Sequence, residues 1–394
     1  MGKVMKLRRI ALIALLVSAL AIVACDVSNS EFNHSGGNDY GSADDDDGGE
    51  DDDETEADGD DISVATTMEI TTAANAWPID RLLNPYNIRE IEASNQVFEP
   101  NWKDYFRFID LAADHARPIS TRQLWRQFAK IAQELVNVYD PVAEGYLQDN
   151  DTLASLITKA LNLDFLLDGI NERELVVTTV RRSETDYYFK REMIFSDPLV
   201  GDFQGILMTP KTEGPHSAVI AIHGHNETAS SYIYYYDGEA YPKNGIALLA
   251  LTMRADTADE AESQVSQSLL EAGFSFMALR VYETCLALKY LQYRPEFDND
   301  RIGLIGHSGG SVTSNLTARI VPGFRAYVSD LQGWYFNILP GPVIVDETTP
   351  LLYPYNNAIN YPDSYPIPIM LVPYGYTDGM SEILEFFNKE LKGD

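Results

Sequence analysis

The chain has 394 residues, 45% of them hydrophobic, and carries 60 Asp or Glu against 29 Lys or Arg, a formal net charge of −31. The hydrophobic fraction is sufficient for a folded core, and the strong acidity argues against nucleic acid as a partner. Two cysteines, Cys25 and Cys285, are too few for a disulfide framework.

The N-terminus has the pattern of an export signal. Four basic residues within the first nine precede a 14-residue run of apolar and small residues at 10–23, which is too short for a comfortable membrane span. The run ends Ile-Val-Ala-Cys at 22–25, which resembles the lipobox of bacterial lipoproteins. The resemblance implies a signal peptide at 1–25, a lipid on Cys25, and a membrane-anchored protein of the bacterial cell envelope, facing the periplasm or the outside. An ordinary cleaved secretory signal is the alternative.

An acidic segment follows at residues 26–61, with 16 Asp or Glu and no Lys or Arg. Such a segment repels itself and has little to bury, so we expect a disordered tether. The remaining residues, 62–394, still carry a net charge of −19.

Residues 62–173 contain apolar residues at helical spacing. Candidate helices lie at 101–118, 121–139 and 151–170, so we predict an N-terminal helical segment. A helical layer over the main domain and a lid over its site are both consistent with this pattern.

From residue 174 onward the pattern changes to strands. Alternating segments at 174–184, 186–197 and 203–210 predict paired strands. Short apolar runs at 217–224, 245–253, 301–308, 325–331 and 367–375 are typical of strands buried on both faces of a parallel sheet. Helical stretches separate them, notably 270–291 with one apolar face, and another is expected at 381–391. The predicted fold class is α/β, with a main domain at 174–394.

The sequence Gly306-His-Ser308-Gly-Gly310 places a serine between two glycines, after a predicted strand at 301–305 and before a predicted helix at 311–320. This context is typical of a nucleophile elbow, where a tight turn exposes the serine hydroxyl. A Gly/Ser loop that binds a phosphate, or nothing, is the alternative.

A second motif, His-Gly-His-Asn at 223–226, follows a buried apolar strand. With the elbow, it resembles the α/β-hydrolase superfamily, in its dienelactone-hydrolase and acetyl-xylan-esterase-like branch. The resemblance implies a doubly wound, mostly parallel sheet and an oxyanion hole made by the backbone N–H groups of His225 and Gly309. His223 and His225 also have metal-ligand spacing, but a His-x-His-x-Asp motif would need Asp where Glu227 stands. We therefore expect no metal and no cofactor.

The same resemblance implies an acid and a histidine base after the serine. Asp378, in a Gly-x-x-Asp pattern, is the first candidate acid, and Asp330 is the second. No histidine follows His307, and no strand is predicted after the last helix, so the predicted fold lacks the last strand of the superfamily. Three explanations for this departure stay open. The sequence is truncated, His225 serves as a substitute base, or the protein has lost the catalytic histidine.

These observations predict a carboxylesterase-like serine hydrolase of the cell envelope. Tyrosine-rich segments near the motifs suit a small-molecule ester or carbohydrate-ester substrate. A catalytically inactive binding protein on the same fold, or a peptidase of that fold, remains the alternative.

Overall fold

A computed structural model describes residues 87–93, 154, 157–158, 161–253, 266, 269, 275–330, 365–372 and 380–393. Nine strands in the described part of the chain form one sheet. The strands are β1 (Ile88–Glu92), β2 (Leu175–Glu184), β3 (Tyr188–Asp197), β4 (Gly201–Pro210), β5 (His216–Ile222), β6 (Ile246–Thr252), β7 (Phe297–His307), β8 (Ala326–Asp330) and β9 (Ile369–Val372).

The strand order is β1-β2-β3-β4-β6-β5-β7-β8-β9. Strands β2, β3, β4 and β6 pair antiparallel in succession, whereas every other neighbouring pair is parallel. The short turns at 185–187 and 198–200 permit only antiparallel pairing, and the longer connections after β5 allow parallel crossovers. The sheet is therefore mixed and mostly parallel, which confirms the predicted α/β class.

Helices lie on both faces of this sheet. They are α1 (Leu163–Leu167), α2 (Ala229–Tyr235), α3 (Ala240–Lys243), α4 (Phe276–Tyr293), α5 (Gly309–Ile320) and α6 (Met380–Phe387), the last continued by a π-helical turn at Asn388–Lys392. Apolar residues of α1, α4 and α5 join one core cluster, and those of α2, α3 and α6 join the other. Among the described residues, the sheet ends at β9, and no strand follows it in residues 380–393.

The central strands show why their sequences are continuously apolar. In β5, Ile220 and Ile222 belong to the core cluster on one face, while Val219 and Ala221 belong to the cluster on the other. Because successive side chains of a strand point to opposite faces, a strand covered on both sides needs apolar residues at every position. The run that predicted a buried strand thus reflects two separate cores.

Helix α4 departs from the prediction of one apolar face, because all residues at 276–291 are buried. The outer side of α4 is covered by residues that precede β2. The Nζ atom of Lys289 donates a hydrogen bond to the carbonyl oxygen of Ile170 at 2.5 Å, and Arg173 Nη2 donates one to the Tyr282 hydroxyl at 2.9 Å. Lys289 and Tyr282 of α4 thus make their hydrogen bonds inside the protein instead of with water.

Much of the predicted helical segment at 62–173, including the candidate helices at 101–118 and 121–139, lies outside the described residues, as do the acidic tether and Cys25. Strand β1, within that segment, was not expected from the sequence. It has five residues, three of them charged, and pairs with β2, where Arg89 Nη2 contacts Glu174 Oε2 at 2.9 Å. Charged side chains of this kind are common on edge strands. Over the described ranges, no helix has the length and hydropathy that crossing a membrane would require.

Candidate active site

The candidate site lies where the chain connections diverge at the carboxyl ends of the parallel strands. Strand β5 has β6 on one side and β7 on the other. The chain leaves β5 toward α2 on one face and leaves β7 toward α5 on the opposite face. A crevice opens at such a switch point, and ligands of α/β proteins bind there. Both sequence motifs, at 223–226 and 306–310, meet at this edge.

Ser308 is the single residue between the end of β7 and the start of α5. Its backbone has φ 49° and ψ −118°, a positive φ that L-amino acids other than Asn and Asp rarely adopt. Such strain costs about 1–3 kcal/mol and persists where the surrounding structure holds the residue in place, often at functional sites. The serine is also partly exposed. The strand–turn–helix context expected of an elbow is present.

The flanking glycines are required by close packing. A side-chain carbon on Gly306 would collide with the carbonyl oxygen of Gly310 and with Ser314 Oγ. A side-chain carbon on Gly310 would collide with the carbonyl oxygens of Ile222 and His223. The turn is therefore pressed against the end of β5 as well as against its own helix, which explains the Gly-x-Ser-x-Gly spacing.

The elbow is also fixed to the neighbouring strand β8. The backbone N–H of Ser308 donates to the carbonyl oxygen of Asp330 at 3.2 Å. The Ser311 hydroxyl lies 2.5 Å from the same oxygen, and the Ser311 N–H donates to the Ser308 carbonyl at 2.8 Å. These bonds hold the strained backbone of residue 308 from both sides.

Residues 223–226 lie on the same rim as the serine. A side-chain carbon on Gly224 would stand 3.0 Å from Ser308 Cβ and 2.9 Å from His307 Cδ2, so the two chain segments touch. A carbon on Gly309 would stand 2.7 Å from Nδ1 and 3.0 Å from Nε2 of His225. The structure therefore brings His225 and Gly309, the two residues proposed for the oxyanion hole, into contact.

His223 has a structural environment. Its Nδ1 donates to the carbonyl oxygen of Gly224 at 2.7 Å, and its Nε2 accepts from the backbone N–H of Met253 at 2.9 Å. Burial lowers the pKa of His223 to about 3, so the ring is neutral. Both ring nitrogens are engaged, which leaves none for a metal ion. Within the described ranges, no group of three or more His, Cys, Asp or Glu side chains could hold one.

Of the two candidate acids, only Asp330 lies in the described part of the chain; Asp378 lies outside it. Asp330 is buried at the end of β8, and its Oδ2 is 3.2 Å from Nδ1 of His307. His307 is also buried and packs against the ring of Tyr236, with centroids 4.6 Å apart. Asp330 therefore contacts the histidine beside the serine, on the inner side of the elbow.

Two residues at this edge were missed by the sequence reasoning: Glu227 and Tyr236. The Glu227 carboxyl group accepts from the Gly224 N–H at 2.9 Å through Oε2, and the Tyr236 hydroxyl donates to its Oε1. The sequence carried a signal for the helix but not for these hydrogen bonds, because Thr228 and Ser231 form a capping box that starts α2. That helix positions Tyr236 at its end.

The tyrosine-rich segment after this loop is mostly structural. Tyr232, Tyr236 and Tyr241 are buried, whereas Tyr234 and Tyr235 are exposed. Alternation of this kind is expected when a short helix packs one face on a sheet. The second tyrosine-rich segment, at 351–364, lies outside the described residues.

Fold and site together define an α/β protein with a serine on a strained strand-to-helix turn, opposite a histidine-containing loop. No protein-family model matches the chain. A protein from Bacillus subtilis (strain 168), YtaP, whose name describes it as a hydrolase, is 28% identical over 172 residues, which are 38% of this chain and 55% of YtaP. The chain thus spans about half the length of this curated relative.

Solved structures similar to this chain include acetyl xylan esterase 1 from Thermoanaerobacterium sp. JW/SL YS485, with 16% identity, a TM-score of 0.41, and coverage of 60% of this chain and 92% of that one. Methylesterase BT1017 has 17% identity, a TM-score of 0.45, and coverage of 80% and 77%. Similarities at this level do not assign an activity.

Proposed function

We propose that the protein is a carboxylesterase-like serine hydrolase with Ser308 as its nucleophile. The observation that carries the proposal is the strained backbone of the partly exposed Ser308, which lies against Gly224 at the switch point of the sheet, with the His225 ring against Gly309. A serine mounted in this way presents its hydroxyl to a substrate in the crevice, beside backbone N–H groups and the start of a helix.

In the proposed reaction, Ser308 Oγ attacks the ester carbonyl carbon while a base takes the hydroxyl proton. The carbonyl oxygen becomes an oxyanion that accepts from the N–H groups of His225 and Gly309, which can supply about 3 kcal/mol each. The bond to the alcohol then breaks, and the alcohol leaves with that proton. Water attacks the acyl-serine next, releasing the acid and restoring the hydroxyl.

His225 is the base that the described geometry supports best. Among the histidines that the structure describes at this edge, His223 has both nitrogens bonded and His307 is buried against Asp330, while the ring of His225 is partly exposed next to Gly309. Asp378 is the proposed acid that orients the base, and Asp330 is the alternative. The proposed substrate is a small-molecule or carbohydrate ester, a class suggested also by the names of the esterase structures.

A serine-directed fluorophosphonate probe tests the nucleophile. We expect labelling and p-nitrophenyl acetate hydrolysis by the wild type, and loss of both in Ser308→Ala, since Ser308 is partly exposed whereas the nearby Ser311 hydroxyl is buried and bonded to backbone carbonyls. Ser183→Ala, at an exposed position on β2, is the matched control and should behave as wild type. A wild type that resists the probe at high concentration would favour an inactive binding protein, and cleavage of peptides but not esters would favour a peptidase.

His225→Gln separates the two roles proposed for residue 225. The variant keeps the backbone N–H of the oxyanion hole and removes the imidazole. If the ring is the base, we expect hydrolysis to fall by a factor of about 10² to 10⁴. Hydrolysis close to wild type would limit residue 225 to its backbone role.

We also propose a lipid anchor on Cys25 at the envelope membrane, supported by the basic, apolar and Ala-Cys pattern of residues 1–25. Metabolic labelling with an alkyne fatty acid should mark the wild type and spare Cys25→Ser. Equal labelling of the two, or none of either, would refute the anchor.

A further inference from the structure

We propose that Glu227 is a positioning residue that fixes the oxyanion loop, residues 223–227, against the nucleophile. The proposed effect of Glu227 on catalysis rests on the proposed function, whereas its proposed effect on the loop does not. The loop connects β5 to α2, and its backbone must stay next to Ser308.

The Glu227 side chain closes this loop on itself. The chain turns sharply between Gly224 and Glu227, with Asn226 at φ 61°. The carboxyl group then reaches back three residues, and its Oε2 accepts the Gly224 N–H at 2.9 Å. A bond from a carboxyl group to a backbone N–H is among the stronger hydrogen bonds in proteins. Glu227 thereby ties the start of the loop to its end.

The loop is in turn tied to a helix packed on the sheet. The second oxygen of Glu227, Oε1, accepts from the hydroxyl of Tyr236, at the end of α2. Tyr236 is buried, and its ring packs against His307, the residue before the nucleophile. The Glu227 carboxyl group therefore connects the oxyanion loop to the underside of the elbow.

Glu227 also lies close to the serine. A side-chain carbon placed on Gly224 would lie 3.0 Å from Ser308 Cβ and 3.4 Å from Glu227 Oε2. Any shift of Gly224 alters the contact with Ser308 and the position of the next N–H, that of His225. Because oxyanion donors act over a narrow range of distances, a displacement of about 1 Å can lower a rate by about 10².

Both carboxyl oxygens already accept a hydrogen bond, which favours a positioning role over service as the proton acceptor. The Glu227→Gln variant separates these roles. Gln can accept the Gly224 N–H and donate to the Tyr236 oxygen, so it preserves both contacts, but an amide cannot accept the serine proton. Glu227→Ala removes both contacts.

The test combines amide hydrogen exchange at Gly224 with steady-state hydrolysis of p-nitrophenyl acetate. For Glu227→Ala we expect exchange at Gly224 to be faster by about 10-fold or more, and kcat to fall about 10- to 100-fold with KM within about 3-fold. Glu227→Gln should restore both values to near wild type. Tyr236→Phe, which keeps the ring and removes one contact, should show a smaller loss, and it serves as the second variant if Glu227→Ala does not fold.

Glu213→Ala, at an exposed position between β4 and β5, is the control and should match wild type. Unchanged exchange and kcat in Glu227→Ala would overturn the proposal, and so would a Gln variant as impaired as the Ala variant. A wild type with no esterase activity would refute the proposed function, while the exchange at Gly224 would still decide whether Glu227 holds the loop.

Discussion

The imidazole of His223 links the ends of two parallel strands, because its Nε2 accepts a hydrogen bond from the backbone N–H of Met253 at 2.9 Å. His223 follows β5 and Met253 follows β6, so the bond closes the edge of the sheet beside the candidate site. It requires a neutral ring, since a protonated imidazole has no acceptor nitrogen.

This bond predicts a loss of stability in mild acid. Burial lowers the pKa of His223 to about 3 in the folded state from an ordinary value of 6.5. Between these values the unfolded chain binds a proton that the folded chain does not, so the free energy of unfolding falls as the pH falls. From pH 6.5 to 5 the expected loss is about 2 kcal/mol from this group.

Urea unfolding of the wild type and His223→Gln across pH 5 to 8 measures that loss. Gln provides a neutral acceptor for the Met253 N–H and has no proton to bind, so its curve should be flatter below pH 6.5. The difference between the two proteins at pH 8 gives the change in the free energy of unfolding that the substitution itself causes. Parallel pH curves for the two proteins would show that His223 does not titrate in this way.

The contact between Gly310 and the end of β5 predicts a steric penalty. Gly310→Ala places a methyl group onto the carbonyl oxygens of Ile222 and His223, which are backbone atoms that cannot turn aside. We expect a loss of about 3 kcal/mol in the free energy of unfolding, at the upper end for overpacking, measured by urea unfolding.

Gly393→Ala is the comparison for Gly310→Ala, because no atom of a described residue other than its chain neighbours and nearby helix backbone lies within 4 Å of the added carbon. Its φ of 75° still disfavours alanine, so a loss of about 1 kcal/mol is expected. Equal losses in the two variants would mean that the elbow is not packed against β5.

The burial of Asp330 against His307 predicts that the two candidate acids respond differently to substitution. Asp330→Asn weakens a buried contact of 3.2 Å, so we expect a loss of about 1–3 kcal/mol in stability with kcat within a few fold. Asp378→Asn should lower kcat by about 10³ or more at nearly unchanged stability, if that side chain orients the base.

Urea unfolding and ester hydrolysis on the same preparations separate these effects. A stable Asp330→Asn protein that has lost its activity would make Asp330 the acid instead. The His307→Gln variant provides a check, since it should reproduce the stability loss of Asp330→Asn if the pair acts through their mutual contact.

The sequence by itself determined the strands from 174 onward and the position of the elbow. Runs such as 218–222 are apolar at every position because both faces are covered, and the sheet confirms the α/β class they predicted. The glycines at 306 and 310, between a predicted strand and a predicted helix, were the local signal for a turn at Ser308. The contacts of that turn with the end of β5 and with Asp330 of β8 were not visible in the sequence. Roles of the site residues remain predictions.

Only the tertiary structure decided which distant residues meet. The pairing of β1 with β2 joins residues 87 positions apart, such as Ile88 and Leu175, and the burial of α4 on every side depends on the covering chain near Ile170. Glu227 and Tyr236 lie at opposite ends of α2, and although a capping box indicates the start of that helix, no local pattern predicts their hydrogen bond. Periodicity reports whether a side chain faces a core, whereas the identity of its partner depends on how the chain crosses the sheet.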